Sequence, residues 1–155
     1  MAHYDMLVIG SGPAGQKAAI QAAKIGKKAG VIERKKVAGG ICINTGTIPS
    51  KSLREAVLFL SGFRQRNLYG ASYRVKKDIT FEDLAQRCDH VVKAEQEIIQ
   101  NQLIRNSVDF IVGTASLIDP HRISIKQESE SNEHTADHIV IAVGTETAHP
   151  PGVPF

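Results

Sequence analysis

The stretch Gly10-Ser11-Gly12-Pro13-Ala14-Gly15 constrains this chain more than any other. It directly follows Tyr4 to Ile9, a short apolar run rich in β-formers that predicts a fully buried strand. After it, Pro13 to Ile25 predicts an alanine-rich helix, with proline in the first turn and Gly26 as the stop. Lys28 to Ile32 predicts a second strand, ending at Glu33. A glycine-rich turn between strand and helix, with an acidic residue about 20 positions on, is the dinucleotide-binding fingerprint. Each part has a job. Gly10 permits the tight turn, Gly12 lets the backbone approach a pyrophosphate, and Gly15 lets helix and strand pack closely. Unpaired N–H groups and the positive dipole end at Ser11 to Ala14 face the phosphates. Glu33 would accept hydrogen bonds from ribose hydroxyls and repel a 2′-phosphate, which suits FAD or NAD better than NADP. The cations of Arg34, Lys35 and Lys36 blunt that preference, and these residues alone do not separate FAD from NAD.

The first helix carries a small apolar face, Ala14, Ala18, Ala22 and Ile25. Residues 34–49 read as an irregular glycine-containing loop, and Leu53 to Leu60 as a helix with Leu53, Val57 and Leu60 on one side. Residues 62–79 are polar and basic, a solvated connection. Thr80-Phe81-Glu82-Asp83 resembles a capping box. A long helix should follow to about Asn106, its apolar positions being Phe81, Leu84, Cys88, Val91 and Ile98. Strands are expected at Phe110 to Val112, at Arg122 to Lys126 and at His138 to Val143, with Gln127 to Asp137 as a polar turn. The proline-rich tail from His149 to Phe155 should be extended. The fold class is therefore α/β: a Rossmann-like nucleotide-binding layout with a βαβ start, a long helix and an antiparallel β addition.

Composition excludes several classes. A chain of 155 residues with 42% hydrophobic and 23% charged residues can bury a core, so it is neither disordered nor membrane-like. Its net charge of +3 is spread along the sequence, without the dense basic stripe of a nucleic-acid binder. Two cysteines, Cys42 and Cys88, do not make a disulfide scaffold. Cys88 reads as a small core residue. No apolar run approaches the length of a membrane helix, no signal peptide is visible, and a cytoplasmic location is expected. His134 and His138 flank a turn and a strand rather than share a helix, so no metal site is expected. Glu128, Glu130 and Glu133 read as a solvated turn.

A second motif, Gly39-Gly40-Ile41-Cys42-Ile43-Asn44-Thr45-Gly46-Thr47-Ile48-Pro49-Ser50-Lys51, is more specific. It resembles the redox segment of the flavoprotein disulfide reductases, in which two cysteines along the flavin form an electron-exchanging disulfide. Here the first position is Cys42 and the second is Thr47, whose hydroxyl cannot carry out thiol–disulfide exchange. This form, with Cys42 kept, resembles the soluble pyridine nucleotide transhydrogenases of the same fold family. The likeness runs on through Lys51 to Val57, Tyr69 to Ala71, Gly113 to Ala115 and Ala142 to Thr145.

That resemblance implies an FAD-dependent oxidoreductase moving hydride between NADPH and NAD+ by a ping-pong route. It implies that residues from Glu33 and Arg34 through Gly40 to Cys42 line the FAD, and that Lys51 lies near the reactive edge of the flavin beside Thr47. It implies further that Gly113, Thr114 and Ala115 approach the adenine, and that Ala142, Gly144 and Thr145 close over the cofactor. Residues 1–148 would then be the N-terminal part of an FAD-binding domain. Residues 149–155 would be a linker toward an NAD(P)-binding domain, and the whole enzyme would be a homo-oligomer. Such a piece alone is expected to hold FAD weakly or not at all, to be inactive, and to leave an open sheet edge. Two other readings stand beside this one: a related flavoprotein reductase with a quinone or dye acceptor, and a non-catalytic nucleotide-binding module.

Overall fold

The strand–turn–helix–strand opening forms as its periodicity predicts. In the computed structural model, which describes residues 1–128 and 130–153, β1 (His3–Ile9) leads through the glycine turn into α1 (Pro13–Lys24) and β2 (Ala29–Glu33). β1 and β2 pair in parallel, Met6 opposite Ala29 and Ile9 opposite Ile32. β3 (Asp109–Val112) adds in parallel beside β2. β4 (Thr114–Asp119), β5 (Arg122–Gln127) and β6 (Glu130–Ile141) form an antiparallel meander whose last strand pairs in parallel with β1. The six-stranded order is β3-β2-β1-β6-β5-β4, the expected parallel start with an antiparallel addition.

The sheet is covered on both faces because successive side chains of a strand point to opposite sides. Val8 and Val31 pack with Ala19 and Ala22 of α1 and with Ile99 and Leu103 of the long helix α5 (Phe81–Arg105). Leu7 and Ile32 pack with Ile123 and Ile125 of β5 and Ala136 of β6. Leu7, Ile32, Ile123 and Ile125 are fully buried, which stabilises by roughly 1.5–3 kcal/mol each.

Several expectations are corrected. The buried face of α1 is Gly15, Gln16, Ala19, Ile20 and Ala22, whereas Ala14 is exposed and Ile25 is 68% exposed. The helix is turned so that Gly15, not Ala14, meets the sheet. In α5 the core positions are Ile99 and Leu103, while Phe81 is 81% exposed and Ile98 points outward. The supposed loop at 34–49 holds α2 (Gly40–Asn44) and the start of α3 (Thr47–Leu60). Pro49 is tolerated in α3 because the first turn has no partner for its missing N–H. The connection at 62–79 contains a 3-10 turn at Phe63–Gln65 and α4 (Arg66–Tyr69).

Most of the polar "turn" at Gln127 to Asp137 is strand. β6 runs for 12 residues, first beside β5 (Gln127 opposite Glu130) and then beside β1 (Ile9 opposite Ile141). Its first residues are exposed, so they carry no apolar alternation to read. The reversal is made tightly, with Glu128 at φ 46°. Ser129, Pro154 and Phe155, which the expected polar turn and extended tail included, lie outside the described residues. The tail is not simply extended: it turns at Pro151 and Gly152, where φ is 82°.

The capping box is present. Thr80 Oγ1 accepts the Asp83 N–H at 3.3 Å, and the Asp83 carboxylate accepts from the Thr80 N–H at 2.9 Å. Lys76 Nζ donates to the same carboxylate, and these donors hold the Asp83 carboxyl at about 2. Thr80→Ala is expected to cost ~1 kcal/mol, read as a lowered midpoint of urea unfolding at unchanged slope. No helix among the described residues is long and apolar enough to cross a membrane.

Candidate functional site

A groove crosses the carboxyl ends of β1 and β2, the end of a parallel sheet where open α/β folds bind ligands. It consists of two adjoining clefts of about 620 and 420 Å³ that share Gly10, Glu33, Arg34, Ile41 and Gly144. The first takes in Gly113, Thr114 and Ala115 where β3 hands over to β4. The second takes in Ser11, Gly12, Pro13 and Ala14, then Gly40, Cys42 and Ala142. Val143 and Thr145, past the end of β6, wall both. A separate cleft of about 500 Å³ between α3 and α5, lined by Phe59, Arg64 and Arg87, holds none of the expected residues.

The three glycines of the turn are required for different reasons. Gly10 has φ +103°, and a Cβ there would run into the Ala142 carbonyl oxygen. Gly15 faces the Gly10 carbonyl and sits against Val8, so only hydrogen fits between α1 and β1. Gly12 has ordinary extended backbone, φ −65° and ψ 177°, and nothing lies within 4 Å of where its Cβ would be. That open space, and the bare first turn of α1 with no side-chain cap and no acidic residue, are the room and the donors a pyrophosphate needs. Gly40 completes the cradle, since a Cβ on it would come within 2.9 Å of the Gly12 Cα.

Ser11 ties the turn together. Its N–H and Oγ donate to Glu33 Oε2 at 3.0 and 2.6 Å, while its carbonyl accepts from Gln16 Nε2 at 2.7 Å and from the Gly39 N–H at 3.1 Å. Glu33 Oε1 accepts the Lys35 N–H at 3.0 Å. Burial alone would raise the Glu33 carboxyl, but the bonds from Ser11 and Lys35, with the Arg34 charge, outweigh it and hold it below the usual range. A depressed carboxyl stabilises the fold above its unfolded value of 4.5, and that contribution is lost as pH falls through the folded value. Glu33→Gln is therefore expected to melt below the parent at pH 7, with the gap closing in thermal melts as pH falls below about 4.5 and through the depressed folded value. A gap that stays constant with pH would contradict this.

All but three of the residues expected from sequence line the groove. Gly15 lies beneath it, as a packing residue should. Thr47 and Lys51 stand outside its lining, one turn apart on the exposed start of α3. Cys88 is half-buried rather than in the core, its Sγ donating to the Pro49 carbonyl at 3.5 Å. His134 and His138 both fall on β6. Ile41, inside the stretch from Glu33 to Cys42 expected along the cofactor, is in the wall; sequence reasoning missed Asn44 there, and Glu146 and Thr147 beyond β6. It also missed Gln16, a 4% exposed amide in an alanine-rich helix, whose polarity on a core face was a readable signal.

Comparison with known proteins agrees with this layout. The profile of the family described as Pyridine nucleotide-disulphide oxidoreductase matches residues 4–154. A soluble pyridine nucleotide transhydrogenase of Mycobacterium tuberculosis (strain ATCC 25177 / H37Ra) is 55% identical over 100% of this chain, which covers 34% of that protein. The one from Photorhabdus laumondii is 39% identical over 99% of this chain and 33% of its own length. Among solved structures, the copper(II) complex of the HOCl-induced flavoprotein disulfide reductase RclA from Escherichia coli superposes with a TM-score of 0.79. It is 28% identical, over 97% of this chain and 31% of that one. The chain spans about a third of the length of the curated relatives it matches. With a glycine turn, an acidic strand end and a matching profile over nearly every residue, the chain belongs to the pyridine nucleotide-disulphide oxidoreductase family.

Proposed function

We propose that this chain is the FAD-binding part of a soluble pyridine nucleotide transhydrogenase, with residues 1–148 forming that part and 149–155 leading out of it. The observation that carries the reading is 55% identity along the entire chain to proteins of that name. A second supports it: Thr47 stands where the flavoprotein disulfide reductases carry their second cysteine, and no disulfide chemistry is open to a hydroxyl.

When bound, the flavin supplies the hydride-carrying chemistry between NADPH and NAD+. This chain's residues supply the seat. Gly12, Gly40 and the first turn of α1 take the pyrophosphate, and Glu33 takes ribose hydroxyls with its remaining lone pairs. Gly113 to Ala115 flank the adenine. Ile41 and Cys42 present an apolar side and a thiol to the ring system, and Ala142 to Thr145 close the opposite wall. Lys51 serves the outer, reactive edge, consistent with its exposure at the start of α3. The enzyme acts in the cytoplasm as a homo-oligomer.

The test is the full gene product. A visible flavin spectrum, release of FAD on denaturation, and hydride transfer from NADPH to a thionicotinamide analogue of NAD+ are expected. Robust reduction of lipoamide or glutathione would overturn the reading. The likeness to RclA favours one rival, a flavoprotein reductase with another acceptor, and the same assay with quinones separates the two.

A further inference from the structure

The short helix α2 cannot hold itself. It has five residues, it is entered through Gly39 and Gly40 at φ 114° and 61°, and no side chain caps it. Helices of that length are far below the limit of independent stability. Yet it carries Ile41 and Cys42 into the groove wall. Two things fix it from below. Ile43 is buried in the helix-side core. Asn44 spends both amide hydrogens on the loop that enters the helix, donating to Gly40 O at 2.8 Å and Ala38 O at 3.3 Å.

An amide can turn over, and the two orientations differ only in which atom faces which partner. The orientation of Asn44 is set from outside its own turn: Gln96 Nε2, on α5, donates to Asn44 Oδ1 at 2.6 Å. That bond is 52 residues long in sequence and joins the long helix to the redox-motif segment. Gln96 lies one turn before the buried Ile99, so its backbone is anchored by the core.

We propose that Gln96 is a positioning residue for the groove: by fixing the Asn44 amide it holds the α2 turn, and with it the Cys42 thiol, against the cofactor space. The geometry does not depend on what the groove binds; only its consequence for a flavin rests on the function proposed above.

The chain contains two cysteines, and they serve as paired reporters: Cys42 on α2 and Cys88 on α5, the same helix as Gln96. The full gene product is treated with iodoacetamide and the alkylation rate of each cysteine is followed by peptide mass spectrometry. Gln96→Leu removes the donor. Gln96→Glu keeps the shape but presents an acceptor to Asn44 Oδ1, so the amide must turn and release Ala38 and Gly40. Both variants are expected to raise the Cys42 rate about fivefold, the factor equivalent to ~1 kcal/mol for one hydrogen bond, with the Cys88 rate unchanged. A parallel rise at both cysteines would mean general loosening and would overturn the proposal, as would an unchanged Cys42 rate. Should Gln96→Leu fail to fold, the near-isosteric Gln96→Glu still decides. Protection of Cys42 by added FAD in the parent protein reports separately on flavin binding, so failure of either idea is visible without the other.

Discussion

Gly12→Ala should leave the fold intact and weaken flavin binding roughly hundredfold, ~2.7 kcal/mol. The backbone at Gly12 is one that any residue adopts, and its missing Cβ would point into space empty to 4 Å. Nothing in the protein therefore resists the methyl group. On the function proposed above, what would resist it is the pyrophosphate of the flavin, which would use that space against the N–H groups of α1. Flavin titration and thermal melting of the full gene product read the two halves of the expectation. An unfolded variant would contradict the open geometry, and a variant binding FAD as tightly as the parent would mean that the phosphates lie elsewhere.

Gly15→Ala, three residues on, should do the opposite. Its Cβ would overlap the Gly10 carbonyl oxygen and approach Val8 Cγ1 to 3.1 Å. The first obstacle is backbone, which cannot swing aside as a side-chain end can. α1 would have to lift off β1, stretching the Gln16–Ser11 bond and opening the Ala19 and Ala22 contacts. Overpacking of this kind costs at least ~3 kcal/mol, or roughly 10 °C of melting temperature for a chain of this size. A melt within about 2 °C of the parent would refute the close-packing role. Two glycines of one motif are thus expected to separate into a stability position and a ligand position, a distinction that melting and flavin titration make together.

The legible parts of this molecule were those whose cause is local. The glycine turn, the proline-started helix and the capping box at Thr80 each depend on residues within a few positions of one another, and each formed as expected. The sheet class followed because β1 and β2 are buried on both faces and so read as continuous apolar runs. The illegible parts were held from a distance. α2 exists because Ile43 is buried and Gln96 reaches Asn44, neither of which its five residues announce. The first half of β6 is a strand because β5 lies beside it, not because of its own polar sequence. The α1 face is not legible from periodicity because alanines stand on both candidate stripes; the packing role that the motif gives Gly15 is the clue to which stripe meets the sheet, and its contact with Gly10 fixes it. In the groove, most expected residues came from two motifs with a mechanism. Asn44 and Thr147 lay outside those mechanisms, and the geometry alone brings them in.

The pairing of β1 with β6 has a consequence for how the chain is made. The central strand is synthesised first, yet its neighbour on one side lies 132 residues later, His3 meeting Thr135. At ordinary translation speeds that delay is on the order of ten seconds. During it β1, α1 and β2 can associate, but Leu7 and Ile32 remain uncovered, because Ile123, Ile125 and Ala136 have not yet left the ribosome. The nascent protein therefore carries an exposed apolar sheet face until residues 123–136 have emerged and the meander closes, a natural target for a ribosome-bound chaperone.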